Sequence, residues 1–162
     1  MSPRLYALVV AVLFACVSMY FGTGWSTVLF QFPVMPELTP DNYALHFLPQ
    51  IDAATTVFTV LVTLMLAACA VMLWQEWRTR FRWVPIALLV LIVVSTGVTM
   101  LVVFPINAVL RAGVADLATL RPLVRGWMDW TWVRAALWSA EWAVLMVYLA
   151  AKAFPRPAPS PS

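Results

Sequence analysis

The sequence predicts an all-α integral membrane protein, an antiparallel four-helix bundle with a proline-rich outer loop and a short outer interfacial helix. Three observations predict it. Of 162 residues, 64% are hydrophobic and only 10% are charged, whereas soluble domains carry roughly a quarter of their residues charged. The apolar residues gather into four runs, residues 5–29, 53–74, 83–104 and 133–151. At ~1.5 Å per residue each run spans the ~30 Å hydrocarbon core. Three of the runs also carry polar side chains at helical spacing, so the bundle has a polar interior whose groups are costly unless paired or used. Residues 1–154 are read as one membrane domain, and the Pro/Ser-rich residues 155–162 as a disordered tail.

Span one opens with Arg4 like a signal peptide, but it stays apolar without a small-x-small cleavage site and is read as an uncleaved helix. Ala7, Ala11, Ala15, Ser18, Gly22 and Ser26 follow one another at steps of three or four. They therefore share a helix face on which a neighbour is expected to approach closely, and Gly22→Leu is expected to overpack it. Pro33 is expected to stop the helix after Phe30. Pro33, Pro36, Pro40 and Pro49 make the first outer loop an ordered, turn-rich cap, in which Asp41 is a candidate cap for a short helix over residues 42–47. Span two begins with Asp52, Thr56, Thr59 and Thr63 on one face.

The inner turn interleaves Trp74, Trp77 and Trp83 with Arg78, Arg80 and Arg82, the composition of an interfacial belt. Span three carries Ser95, Thr96, Gly97 and Thr99 at mid-membrane depth. Beyond it, Leu110, Val114, Leu117 and Leu120 form an apolar stripe against Arg111, Asp116 and Arg121, the pattern of the outer interfacial helix. In the last span Trp127, Trp130, Arg134, Trp138 and Glu141 recur at steps of three and four and so share a face. Glu141 lies about two turns inside hydrocarbon, where hydroxyls of a neighbouring span such as Thr59 or Thr99 are its expected partners.

The net charge is +3, and its distribution carries the orientation. Arg4, the three arginines of the inner turn, Lys152 and Arg156 fall on one side by parity, while residues 30–52 contain no Lys or Arg. The basic side is cytoplasmic, so both termini are expected inside, in a bacterial inner (plasma) membrane. Basic residues confined to the two membrane faces exclude a nucleic-acid partner, and membrane lipids are the expected surroundings. Cys16 and Cys69 lie at depths that differ by roughly 9 Å at ~1.5 Å per residue, so no disulfide is expected.

Arg134, Asp52, Glu141 and Asn107 are the candidate catalytic residues. Arg134 can hold a developing oxyanion and a carboxylate can take a proton. Trp127, Trp130 and Trp138 are candidates to stack on a planar, electron-rich molecule, with Thr56, Thr99 and His46 as further ligand contacts. The alternative is a structural hydrogen-bond and ion-pair network that fixes helix register. With His46 the only histidine, a two-His iron site cannot come from one chain. No phosphate loop, nucleophile elbow, CxxC or dinucleotide fingerprint is present, so no metal and no cofactor is expected.

The phrase Phe104-Pro105-Ile106-Asn107 with Leu110, followed by Trp127, Trp130 and Arg134, resembles the Pro-Ile-Asn motif and last-helix opening of the anthrone oxygenase-like membrane family. Gly22, Gly24 and Pro33 are similar to that family's first helix and loop. The chain departs from the pattern at Ala108, where members often carry a second Asn, and at Thr131, where they often carry His. The resemblance implies a four-helix fold. It also implies, more loosely, a cofactor-independent oxygenase that oxidises an anthrone or related quinone-type aromatic with dioxygen. The other reading is a non-enzymatic membrane subunit or lipid-like ligand binder.

Overall fold

A computed structural model describes residues 1–154; the tail assigned to residues 155–162 lies outside the described residues. The protein is an all-α membrane bundle with four stretches long and apolar enough to span. Helix α1 (Pro3–Ser26) runs through a π-helical turn (Thr27–Gln31) into a 3-10 segment (Phe32–Glu37). A short α2 (Tyr43–His46) leads into α3 (Leu48–Glu76), and residues 77–82 turn the chain into α4 (Trp83–Val98). A second π-helical turn (Thr99–Val103) connects α4 to α5 (Phe104–Ala112), and α6 (Leu117–Ala153) completes the bundle. The neighbours around the bundle are α1 with α3, α3 with α4, α4 with α6, and α6 with α1.

Leu5, Leu8, Leu64, Val90, Val93 and Leu101 stand exposed on the bundle's outside, an apolar perimeter suited to lipid rather than water. Two cores lie inside. Leu13, Val17, Met65, Cys69, Leu88 and Leu145 belong to the one between the spans. Phe32, Tyr43, Phe47, Leu110, Leu120 and Trp127 belong to the other, beneath the loops at the end away from the termini, here the cap end. Both cysteines are free and buried.

Each π-helical turn is followed, with one residue between, by a proline, Pro33 after Gln31-Phe32 and Pro105 after Val103-Phe104. A proline has no N–H to donate and its ring crowds the carbonyl four residues back, so the preceding turn must widen. Pro33 and Pro105 therefore reshape α1 and α4 at the same end of the bundle. Pro33 widens the chain instead of stopping it, and helical turns continue to Glu37.

Three further expectations are corrected. The small-residue stripe of α1 faces away from the bundle: Ala7, Ala11, Ala15, Gly22 and Ser26 are exposed, and a Cβ on Gly22 meets nothing within 4 Å. The close approach is at Gly24, where a Cβ would stand 2.6 Å from Trp138 Cε3. The larger residues Val10, Leu13, Val17 and Tyr20 make the buried face, because in lipid either face of a helix is apolar and size alone does not mark the inner one.

The apolar stripe from Leu110 to Leu120 does not form a separate interfacial helix. Gly113 breaks it at φ +98°, a backbone conformation glycine accepts without strain. Leu110 ends α5 and Leu120 begins α6, with Asp116 capping α6 through a hydrogen bond from Thr119 N at 2.8 Å. Asp41 caps nothing; Asn42 instead closes its own turn by accepting from Thr39 N at 2.8 Å. Tyr43 then fastens the cap, its hydroxyl donating to the Leu110 carbonyl at 3.0 Å and accepting from Val114 N at 2.8 Å.

Candidate functional site

A cavity of 430 Å³ lies at the cap end between α1, α3, α4 and α6, inside the range of small-molecule sites, ~300–1,000 Å³. Both proline-widened turns line it, through Thr27 and Gln31 on one side and Thr99, Met100 and Val103 on the other. Phe47, Ile51 and Trp127 lie toward the cap, Thr131, Arg134 and Trp138 on the α6 wall, and Asn107 on α5. The Pro-Ile-Asn motif thus has a physical part at each position. Pro105 follows the widened turn, the Ile106 side chain reaches within 3.8 Å of where a Cβ on Gly126 would be, and Asn107 faces the cavity.

Arg134 is 7% exposed and makes no ion pair among the described residues. One guanidinium N–H donates to Thr131 Oγ1, which itself donates to the Trp127 carbonyl at 2.8 Å. The guanidinium carbon stands 5.7 Å from the Trp127 ring centroid and 5.5 Å from that of Trp138. Cation–π attraction of ~0.5–2 kcal/mol per ring offsets part of the cost of a buried cation with no counter-ion.

Three residues that line this cavity each hold a buried polar atom with no hydrogen-bond partner: Arg134 Nε, Asn107 Oδ1 and Trp138 Nε1. Such orphans are rare, because each costs about 1–3 kcal/mol of desolvation. Glu141 Oε2 and Ser18 Oγ are also unpartnered. Glu141 is fully buried behind the wall and accepts from Ser95 Oγ at 3.2 Å, and Ser95 itself lines the cavity. Its partner is therefore a span-three hydroxyl of the expected kind, but from Ser95 rather than Thr59 or Thr99.

The structure brings Arg134, Asn107, Trp127, Trp138 and Thr99 together on this cavity and places the other candidates elsewhere. Asp52 turns outward, toward α5, and pairs with Arg111 at 2.6 Å, both side chains well exposed. Thr56 is exposed and bonds the Asp52 carbonyl, while Thr55, one residue and about 100° back around the helix, lines the cavity. Trp130 sits on the edge of the α6 face, 37% exposed. His46 is exposed on the cap, and the next residue, Phe47, is the one that lines the site. Ser95 and Thr131 are contributors that spacing did not single out. Among the described residues no three His, Cys, Asp or Glu side chains converge as a metal-ligand group. Comparison of the chain with family models, with curated proteins and with solved structures gives no match.

Proposed function

We propose that the protein binds a small planar aromatic of the hydroxyquinone or hydroxyanthrone type in the cap-end cavity and supports its oxidation by dioxygen. The supporting observation is the trio of unpartnered groups on residues that line one cavity: two donors, Arg134 Nε–H and Trp138 Nε1–H, and one acceptor, Asn107 Oδ1. A ring bearing an acidic or carbonyl oxygen beside a hydroxyl satisfies all three, with its face against Trp127 or Trp138. The resemblance of residues 104–134 to anthrone oxygenases supplies the reaction class.

An anthrone that has lost its ring-carbon proton is an enolate rich enough to pass one electron to dioxygen. The resulting radical pair combines at that carbon to a peroxide anion, which takes a proton back, and loss of water from the hydroperoxide leaves the quinone, one oxygen atom of dioxygen in each product. The protein's part is to hold the enolate oxygen on Arg134 and to keep bulk water away. The proton leaves by way of Ser95 to Glu141, the hydrogen-bonded pair behind the wall.

The test uses purified full-length protein in lipid nanodiscs. Dihydroxyanthrone is expected to consume dioxygen faster than without protein, and Glu141→Gln is expected to remove that increment while still binding hydroxynaphthoquinone, read by tryptophan quenching. One observation favours the second reading, a binder without chemistry: no Asp, Glu or His lines the cavity, and Thr131 stands at the family's histidine position. Quenching with no dioxygen uptake above background selects it; no quenching overturns both.

The first turns of α1 and the last turns of α6 lie together at one end of the bundle, where Tyr6 meets Tyr148, and on our reading of the arginines of residues 77–82 that end is cytoplasmic. Labelling of Arg80→Cys by an impermeant thiol reagent from the outside would reverse it.

A further inference from the structure

Resting on that reading, we infer that the ligand is an amphiphile, a planar ring with a long alkyl or isoprenoid chain, whose ring sits at Arg134 and whose chain leaves into the bilayer through a slot between α3 and the π-helical turn that joins α4 to α5. The cavity is not closed on that side. Thr59 and Thr63 of α3, and Met100 and Phe104 on the opposite bank, line it while standing exposed on the bundle's outer surface. Thr59 and Thr63 are seven and eleven residues past Asp52, hence ~10 and ~16 Å further along the axis. With Asp52 at the cap-end interface, the slot opens within the hydrocarbon of that leaflet and reaches toward mid-bilayer.

The chemistry of the banks fits a chain rather than a polar group. The slot threonines are satisfied within their own helices: Thr59 Oγ1 donates to the Thr55 carbonyl at 2.7 Å and Thr63 Oγ1 to the Thr59 carbonyl at 2.8 Å. Thr99 does the same to Ser95 at 2.9 Å. Hydroxyls so bonded ask nothing of a ligand, and with Met100 and Phe104 they leave an effectively apolar passage. The orphaned donors and acceptor stand on the walls at Arg134, Trp138 and Asn107. A polar site joined to an apolar lateral exit is matched by a polar ring joined to an apolar chain.

The experiment compares hydroxynaphthoquinone with the same ring carrying a hexadecyl chain, in nanodiscs of the full chain, with binding expressed per mole fraction in the lipid. A chain passing from lipid into lipid neither gains nor loses contact with hydrocarbon, so the two probes are expected to bind the parent within about threefold of each other. Thr63→Trp, and separately Met100→Trp on the other bank, are expected to keep ring binding and to weaken the long-chain probe at least tenfold. Arg134→Gln is expected to weaken both. Failure of the long-chain probe on the parent, with ring binding intact and dependent on Arg134, overturns the lateral exit and leaves the proposed function standing. Equal loss of both probes in the slot variants, with parent-like circular dichroism and elution, also overturns it. Binding indifferent to Arg134 overturns the proposed function itself.

Discussion

The two ends of the bundle each bury a charged side chain, and they treat it in opposite ways. At the termini end Glu76 is 2% exposed and fully engaged. Tyr6 and Tyr148 each donate to its Oε1 at 2.8 Å, Lys152 pairs with the same oxygen at 2.9 Å, and Thr79 donates to Oε2. Helices α1, α3 and α6 and the connecting turn thereby meet on one carboxylate. At the cap end Arg134 faces a cavity with no carboxylate and an unpartnered Nε–H. Satisfied networks fix a structure, whereas persistent orphans hold a place for something that is absent. The same chemical expense is structural at one end and, under the function proposed above, serves a ligand at the other.

The sharpest way to break this contrast is to truncate both charges and compare. Glu76→Leu removes the acceptor that Tyr6, Tyr148, Thr79 and the part-exposed Lys152 share, leaves one phenol able to donate only to the other at 2.7 Å, and is expected to cost about 1.5–3 kcal/mol of unfolding free energy in mixed micelles. Glu76→Gln, which keeps an acceptor, is expected to lose less. Ligand binding by whatever folds should stay within a few-fold of the parent. A Glu76→Leu variant as stable as the parent would remove the structural half of the comparison.

Arg134→Gln is expected to do the reverse. Its stability should equal or exceed the parent's, because an uncompensated cation leaves a buried site. Binding of hydroxynaphthoquinone should weaken by about 10- to 100-fold, the worth of a ~1.5–3 kcal/mol hydrogen bond to a charged group. Loss of stability with binding unchanged would make Arg134 another Glu76 and turn the cavity into a packing defect.

A smaller effect separates the two glycines of α1. Gly24→Ala drives a Cβ to 2.6 Å from the Trp138 ring and is expected to cost about 1–3 kcal/mol by overpacking. It should also weaken ligand binding, since Trp138 is cavity wall. Gly22→Ala meets open space and is expected to be neutral or stabilising by up to ~1 kcal/mol through helix propensity. Matched melting profiles for the two variants would show that α1 packs by a different face.

These residues also show what the sequence makes legible. Length and hydropathy place the four spans, because an apolar run of that length has few other fates. Their ends are less legible: α3 begins five residues before its apolar run, and α6 begins sixteen before, continuing through the charged segment at the cap. Periodicity placed Trp127, Arg134 and Trp138 on one wall, since residues on a straight helix keep their angular relation. It could not rank Gly22 against Gly24, or Thr55 against Thr56, because the choice depends on where the neighbouring helix lies. The tyrosines around Glu76 come from both ends of the chain, and no local pattern announces such a meeting. Composition marks Pro33 as a helix stop and cannot show that it, like Pro105, follows a widened turn that lines the cavity.

The smallest effect is expected at Asp52, the carboxylate that sequence spacing placed at the mouth of the site. It pairs with Arg111 at 2.6 Å, but the two side chains are 59% and 41% exposed. Solvent and salt screen such a pair, so its worth is about 0–1 kcal/mol. Asp52→Asn should therefore shift the unfolding midpoint only slightly, and raised ionic strength should erase the difference between variant and parent. Ligand binding should stay within about threefold, because Asp52 faces α5 and does not line the cavity. A tenfold loss of binding in Asp52→Asn, undiminished by salt, would mean that Asp52 leaves Arg111 to meet the ligand. The cap would then close on its ligand, and the cap end would hold a carboxylate to set against the one at the termini.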